Sequence, residues 1–102
     1  MTIGLIITTY NRTNWIKRAI DSIYNMDFDE IILVNDGSTS NHTTVIENFL
    51  LRYPKIKYIK HDYNMGLAEA RNTGIRKCNS EWVTFLDDDD YYIKNPLEGL
   101  KK

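Results

Sequence analysis

Four short apolar runs alternate with three amphipathic segments along this chain, and that order constrains the fold more than any other feature. The runs start near Ile3, Glu30, Ile56 and Glu81, and they have the β-branched and aromatic content of strands. Between them, apolar residues recur at helical spacing. Such alternation predicts a parallel sheet covered by helices on both faces. We therefore expect an α/β fold, a three-layer α/β/α arrangement around a mainly parallel sheet of about four strands.

The four runs differ in the burial that they predict. Ile3–Ile7 and Glu30–Val34 are continuously apolar, as central parallel strands are. The third, Ile56–His61, alternates with lysines, which indicates an exposed edge. The fourth, Trp82–Leu86, has no charge and reads as a buried strand. The helices are predicted from Thr13 or Asn14 to about Met26, from Ser40 or Asn41 to before Pro54, and from Gly66 onward. In the third helix, the residues predicted to face inward are Leu67, Ala70, Gly74 and Ile75.

Length and composition narrow the possible functions. The 102 residues are enough for one domain, and a net charge of −1 gives no basic face for nucleic acid. The single cysteine, Cys78, is compatible with a reducing compartment. The apolar run at the N-terminus is too short for a signal sequence or a membrane span. These features predict a cytoplasmic protein, free or held at the cytoplasmic face of a membrane by a partner.

Polar side chains follow every predicted strand. The four strand-end segments are Thr8–Arg12, Asn35–Thr39, His61–Asn64 and Asp87–Asp90. In open α/β sheets, ligands bind outside the carboxyl ends of the strands. Four consecutive aspartates at such an edge repel one another, and a divalent cation takes carboxylate oxygens readily. Together with the ring of Tyr10, these groups suit a nucleotide with a phosphate chain.

Several other sites are excluded by spacing. The chain has no G-x-G-x-x-G after the first strand and no G-x-x-x-x-G-K-[ST]. A calcium loop beginning at Asp87 would need glycine where Tyr92 stands. A phosphate-receiving regulator would need carboxylates where Thr8 and Thr9 stand. Hydrolysis that uses histidine has only His42 and His61 and no nucleophile elbow.

Four ordered motifs resemble the family 2 glycosyltransferases, in the nucleotide-binding half of the GT-A fold. They are Ile6–Arg12, Val34–Thr39 (V-N-D-G-S-T), Asn64–Ile75 (N-M-G-L-A-E-A-R-N-T-G-I) and Phe85–Asp90. The chain differs from the usual pattern at Thr8, where the family has proline, and at Asn35, where it has aspartate. The resemblance implies one domain over residues 1–102, similar to a Rossmann fold, that lacks most of the acceptor-binding half.

The resemblance also implies roles for individual residues. The donor would be a nucleoside-diphosphate sugar, and typically a UDP-sugar. Asp36 would accept a hydrogen bond from the base, and Asp89 would ligate Mn²⁺ or Mg²⁺ together with Asp87. The residues implied to bind the donor are Thr8, Thr9, Tyr10, Arg12, Asp36, Arg71, Asp87 and Asp88.

The implied reaction is a single displacement with inversion, in which a carboxylate deprotonates the acceptor hydroxyl. No residue matches the family position of that base, and Asp90 and Glu98 are the nearest candidates. The acceptor, whether glycan, lipid or protein, stays open. A missing half predicts either further sequence or self-association into a homo-oligomer. The alternative is a non-catalytic module that binds nucleotide sugars or another protein through the same fold.

Overall fold

A computed structural model describes residues 1–90. The predicted irregular structure from Tyr91 to Leu97, the loose end at Lys101 and the candidate base Glu98 lie outside the described residues. The elements are β1 (Ile3–Thr9), α1 (Thr13–Ile23), β2 (Glu30–Asn35), α2 (Ser40–Leu50), β3 (Ile56–Lys60), α3 (Leu67–Lys77) and β4 (Trp82–Asp87). The predicted alternation is confirmed, although α1 ends before Met26 and β4 begins one residue after Glu81.

The four strands form a fully parallel sheet in the order β3-β2-β1-β4. Helices α1 and α2 pack on one face, and α3 packs on the other. The three-layer α/β/α fold is therefore confirmed. The chain crosses from β3 at one edge to β4 at the other, so the strand order reverses beside β1. The carboxyl ends of β1 and β4 thus lie at the topological switch point, where α/β sheets bind their ligands.

The larger core lies between the sheet and the pair α1 and α2. Ile16, Ala19, Ile20 and Ile23 recur at helical spacing and are buried on the α1 side. They pack against the side chains of β1 and β2 that point to this face, and Ile46 of α2 completes the cluster. Each fully buried aliphatic side chain contributes about 1.5–3 kcal/mol, so this core anchors the strand ends that form the pocket described below.

Helix α3 faces the sheet with small residues, which corrects part of the prediction. Ala70, Thr73 and Gly74 are buried, whereas Leu67 is 52% exposed and Ile75 is 45% exposed. A β-carbon at Gly74 would lie 2.6 Å from the Ile6 side chain. The close approach of helix and sheet therefore selects small side chains at the contact and turns Leu67 and Ile75 away from it.

Strand β4 is less buried than its apolar sequence predicts. It is an edge strand within the described sheet, where it pairs only with β1. Trp82 is 63% exposed, Val83 is also exposed, and Leu86 is its one buried residue. Trp15 on α1 is exposed as well. The edge position of β3 is confirmed.

Within residues 1–90, no helix has the length and the apolar character needed to cross a bilayer.

Candidate functional site

An open pocket of about 480 Å³ lies at the carboxyl ends of β1 and β4. That volume is within the range of small-molecule sites in proteins. Strand ends from β1, β2 and β4 line it, together with the start of α3. The lining residues are Thr8, Thr9, Tyr10, Arg12, Asp36, Asn64, Gly66, Leu67, Ala70, Asp87, Asp88 and Asp89. Every predicted donor-binding residue is among them except Arg71.

Two loops at the pocket edge hold each other in place. Asn11, which follows β1, has a φ of 52°, a left-handed conformation that asparagine tolerates better than most residues. Its backbone N–H donates to the Ser38 hydroxyl at 3.0 Å, and its side-chain oxygen accepts from the Thr39 N–H at 2.9 Å. The loops after β1 and β2 are therefore fixed together before any ligand binds.

Three of the four consecutive aspartates form an exposed acidic group. Carboxylate oxygens of Asp87, Asp89 and Asp90 lie within 4.8 Å of one another. Hard divalent cations bind oxygen ligands of this kind, so the donor set fits Mg²⁺ or Mn²⁺. Asp87 and Asp89 were predicted as metal ligands, and Asp90 lies beside them.

The remaining aspartate of the four, Asp88, points into the protein instead. It is 7% exposed and accepts a hydrogen bond from the backbone N–H of Tyr10. Burial raises the pKa of Asp88, while Thr9, the Arg12 charge and the Tyr10 N–H partly oppose that rise. Strand β4 ends at Asp87, and the turn that follows directs Asp88 into the protein while Asp89 and Asp90 stay exposed.

The hydroxyl of Thr9 is a buried donor at the pocket wall. Thr9 is 2% exposed, and its hydroxyl has no partner in hydrogen-bond geometry among residues 1–90, although it lies near enough to Asp88 to affect its pKa. Buried polar groups in folded proteins almost always have a partner. The Asp88 carboxylate is the acceptor beside this hydroxyl, so Thr9 and Asp88 form one polar wall of the pocket.

Arginines surround the acidic group. Arg12 Nη1 lies 3.0 Å from Asp89 Oδ2 and 3.7 Å from Asp88 Oδ1. Arg18 donates to the Asp89 carbonyl at 3.2 Å. Arg71 stacks on the Phe85 ring at 5.0 Å and reaches Asp87 at 3.4 Å. Arg71 is thus outside the pocket lining but contacts one of its carboxylates.

Asp36 lies at the β2 side of the pocket, and protein donors surround its carboxylate. The side chain accepts hydrogen bonds from Met65, Gly66, Asn64 and His61 at 2.9–3.1 Å. Gly37 follows with a φ of 73°, and a β-carbon there would lie 2.2 Å from the Tyr63 backbone. The turn after β2 and the segment before α3 are therefore in direct contact.

Sequence reasoning missed several contributors to the site. Asn64, Gly66, Leu67 and Ala70 line the pocket, and they stand in the third motif, which could have identified them. His61 became visible as a contributor only through its contact with Asp36. Asn35, one of the two departures from the family pattern, points away from the pocket and bonds to Thr43 and Tyr58.

The parallel sheet, its helices and the pocket at its switch point define an α/β domain of the GT-A type, and comparisons with known proteins agree. The family model for Glycosyl transferase family 2 matches residues 5–102. The chain belongs to this family, and the resemblance drawn from the four motifs is confirmed.

Curated relatives carry glycosyltransferase names. Glycosyltransferase GlyA of Streptococcus pneumoniae is 36% identical over 102 residues, which are 98% of this chain and 14% of that protein. The GalNAc(5)-diNAcBac-PP-undecaprenol beta-1,3-glucosyltransferase of Campylobacter jejuni is 36% identical over 101 residues, 96% of this chain and 33% of that protein. The chain thus spans a third or less of these relatives.

Solved structures share the fold. S. aureus TarS 1-349 in complex with UDP has a TM-score of 0.80 and 28% identity, with 97% of this chain and 30% of that chain covered. A mannosyltransferase from Pyrobaculum calidifontis, in complex with GDP-Man and Mn²⁺, has a TM-score of 0.80 and 24% identity over 90% of this chain and 28% of that chain. The second likeness supports the fold alone.

Proposed function

We propose that this chain is the donor-binding part of a metal-dependent, inverting glycosyltransferase that uses a nucleoside-diphosphate sugar, with UDP as the nucleotide. One observation carries the proposal. Strand-end segments distant in sequence meet in one pocket at the switch point, with an exposed acidic group flanked by Arg12 and Arg71. The similarity to TarS, which was solved with UDP, supports the choice of nucleotide.

The nucleoside would lie along the end of β1. Thr8 and Thr9 offer hydroxyls, and the exposed ring of Tyr10 offers a face for the base. Asp87 and Asp88 would reach the ribose and the neighbouring diphosphate, where Arg12 and Arg71 supply positive charge. Asp36, at the β2 side of the pocket, would accept a hydrogen bond from the base.

The metal would be held by Asp89 with Asp87, and Asp90 lies within reach of both. Mn²⁺ or Mg²⁺ at this place would neutralise charge that develops on the departing diphosphate. Arg12 already contacts Asp89, so its positive charge lies close enough to stabilise the same diphosphate. The residues described here hold the donor, and the acceptor is bound elsewhere in the enzyme.

The remaining features of the proposal concern partners and place. Residues 1–102 form one GT-A-like donor domain, which works with an acceptor-binding half or with a second copy of the chain. The acceptor is a glycan, a lipid or a protein, and nucleic acid is not a partner. The protein works in the cytoplasm or at the cytoplasmic face of a membrane, as its unpaired Cys78 allows.

Calorimetric titration of UDP into the protein, with and without Mn²⁺, tests the proposal. We expect binding that strengthens at least tenfold with the metal, because the carboxylates at the site repel a diphosphate when no cation is present. Asp89→Asn should remove that dependence. Glu81→Gln is the matched control, since Glu81 is an exposed carboxylate just before the amino end of β4, away from the pocket.

Two outcomes would contradict the proposal. If neither UDP nor GDP binds at millimolar concentration, the pocket is not a donor site, and the fold serves as an interaction module. If UDP binds equally well without metal and in Asp89→Asn, the acidic group does not hold the cofactor.

A further inference from the structure

Four protein donors hold the Asp36 carboxylate at the pocket wall. Only 5% of its side chain is exposed. Oδ1 accepts from His61 Nδ1 and the Met65 N–H, each at 2.9 Å. Oδ2 accepts from the Gly66 N–H at 3.0 Å and from Asn64 Nδ2 at 3.1 Å. An ionised carboxylate has about four lone-pair sites, so four protein donors fix both the position and the orientation of this one.

Three of these four donors belong to one wall of the pocket. Asn64, Met65 and Gly66 form the segment that enters α3, and Asn64 and Gly66 line the pocket. Asn64 Nδ2 also donates to the Asp36 carbonyl at 3.2 Å. The Asp36 carboxylate therefore sets where this wall stands relative to the ends of β1 and β4.

The fourth donor, His61, ties Asp36 to the body of α3. Its side chain is 9% exposed, and its backbone N–H donates to the Asn35 carbonyl at 2.9 Å, which fixes the residue at the end of β3. The other ring nitrogen, Nε2, lies 2.8 Å from the Thr73 hydroxyl on α3. Arg76 donates to the same hydroxyl at 3.2 Å.

The direction of these bonds follows from the chemistry of the groups. An ionised carboxylate only accepts, so Nδ1 of His61 must carry a proton. The Thr73 oxygen already accepts from Arg76, and its own hydrogen is free to point at Nε2. The neutral ring is therefore in the Nδ1–H tautomer, and the bonds run in one direction from Arg76 through Thr73 and His61 to Asp36.

We propose that His61 is a positioning residue for the donor pocket, which acts by holding Asp36 and, through Asp36, the wall formed by Asn64–Gly66. This inference rests on the proposed function. Without the Nδ1 donor, one lobe of a buried carboxylate is left unpaired. The carboxylate is then free to turn towards solvent, and the N–H groups of Met65 and Gly66 lose a fixed acceptor.

Two substitutions separate the role of each ring nitrogen. His61→Asn keeps an N–H donor at the position of Nδ1, and His61→Gln places its amide near Nε2 instead. We expect His61→Gln to weaken UDP binding about tenfold, as the loss of a hydrogen bond to a charged group does, and His61→Asn to stay within about threefold of the original chain. His42→Gln is the control, because His42 bonds to Thr13 outside the pocket lining.

The tautomer of His61 gives a readout that needs no nucleotide. Nitrogen-15 NMR of the ring at mildly alkaline pH should show Nδ1 protonated and Nε2 bare, the reverse of the form that free histidine prefers. A ring protonated at Nε2 alone would overturn the inference, and so would His61→Gln with unchanged UDP affinity. If the original chain binds no nucleotide, the proposed function fails, and the tautomer still decides whether His61 holds Asp36 as described.

Discussion

Carboxylates at the two ends of the parallel strands differ in their exposure and in their hydrogen-bond partners. At the amino end, Glu30 at the start of β2 accepts from Lys57, Asn79 and Ser80 at 2.6–2.8 Å, and its side chain is only 13% exposed. At the carboxyl end, Asp87, Asp89 and Asp90 are exposed and lie beside one another. A buried carboxylate whose lone pairs are filled by the protein stabilises the fold. An exposed carboxylate, even with an arginine beside it as at Asp87 and Asp89, is available to a ligand.

Asp36 shows that the difference lies in pairing, not in location. It is at the carboxyl end with the acidic group, yet its oxygens are filled as those of Glu30 are. Glu30 ties the β2 start to the loop before β4, and Asp36 ties the β2 end to the segment before α3. Two paired carboxylates thus fix both ends of the central strand β2.

The largest expected effect on stability is at Glu30. Glu30→Gln removes the charge that Lys57 and the loop donors bind, and it leaves a partly buried amide with mismatched partners. We expect a loss of about 2–3 kcal/mol, measured by urea unfolding, with UDP binding unchanged when the protein is folded. Glu81→Gln, at an exposed ion pair on the same side, should change stability by less than about 0.5 kcal/mol. Equal losses of stability in the two variants would remove the distinction between a buried carboxylate that is held by protein donors and an exposed one.

The same carboxylate predicts a pH dependence. Although burial opposes it, hydrogen bonds from Lys57, Ser80 and Asn79 lower the pKa of Glu30 from 4.5 to about 2. Because the folded state holds this proton less tightly, the stabilisation is complete above pH 4.5 and is lost as the pH falls towards 2. The difference in unfolding free energy between the original chain and Glu30→Gln should therefore shrink over that window. A difference that stays constant down to pH 2 would contradict the prediction.

The smallest expected effect has the opposite sign. Burial raises the pKa of Asp88, so the folded state binds its proton more tightly than the unfolded state, and ionisation lowers stability as the pH rises through the folded value. Asp88→Asn removes a buried charge at neutral pH and should leave stability unchanged or raise it by up to about 1 kcal/mol. Urea unfolding of Asp88→Asn and Glu30→Gln under the same conditions compares their free energies of unfolding. A loss above about 1 kcal/mol would make Asp88 a structural anchor like Glu30.

Much of the fold could be predicted because it follows from local pattern. The alternation of apolar runs and amphipathic segments predicted the parallel sheet and its three helices, and the lysines around Tyr58 predicted the β3 edge. The predictions of burial in α3 failed because they depend on the distance between the helix and the sheet. Leu67 and Ile75 are good core residues by type, but Gly74 against Ile6 brings α3 so close that only small side chains fit between them.

The site divides in the same way. Four motifs identified the strand ends, and the switch-point rule predicted that they meet, because the carboxyl ends of parallel strands share an edge. The motifs could not show that Asp88 turns inward while Asp87 and Asp89 stay exposed. Nor could the motifs show that four protein donors hold the Asp36 carboxylate, since those donors come from residues 25–30 positions further along the chain.

The sequence by itself determined the order of elements, the family and the residues that gather at one edge, because these depend on periodicity and on residue chemistry in short segments. Only the tertiary structure decided which carboxylates are satisfied and which stay open. Whether a lone pair is filled depends on a donor within about 3 Å, and for Glu30 and Asp36 the fold brings those donors from other strands and loops.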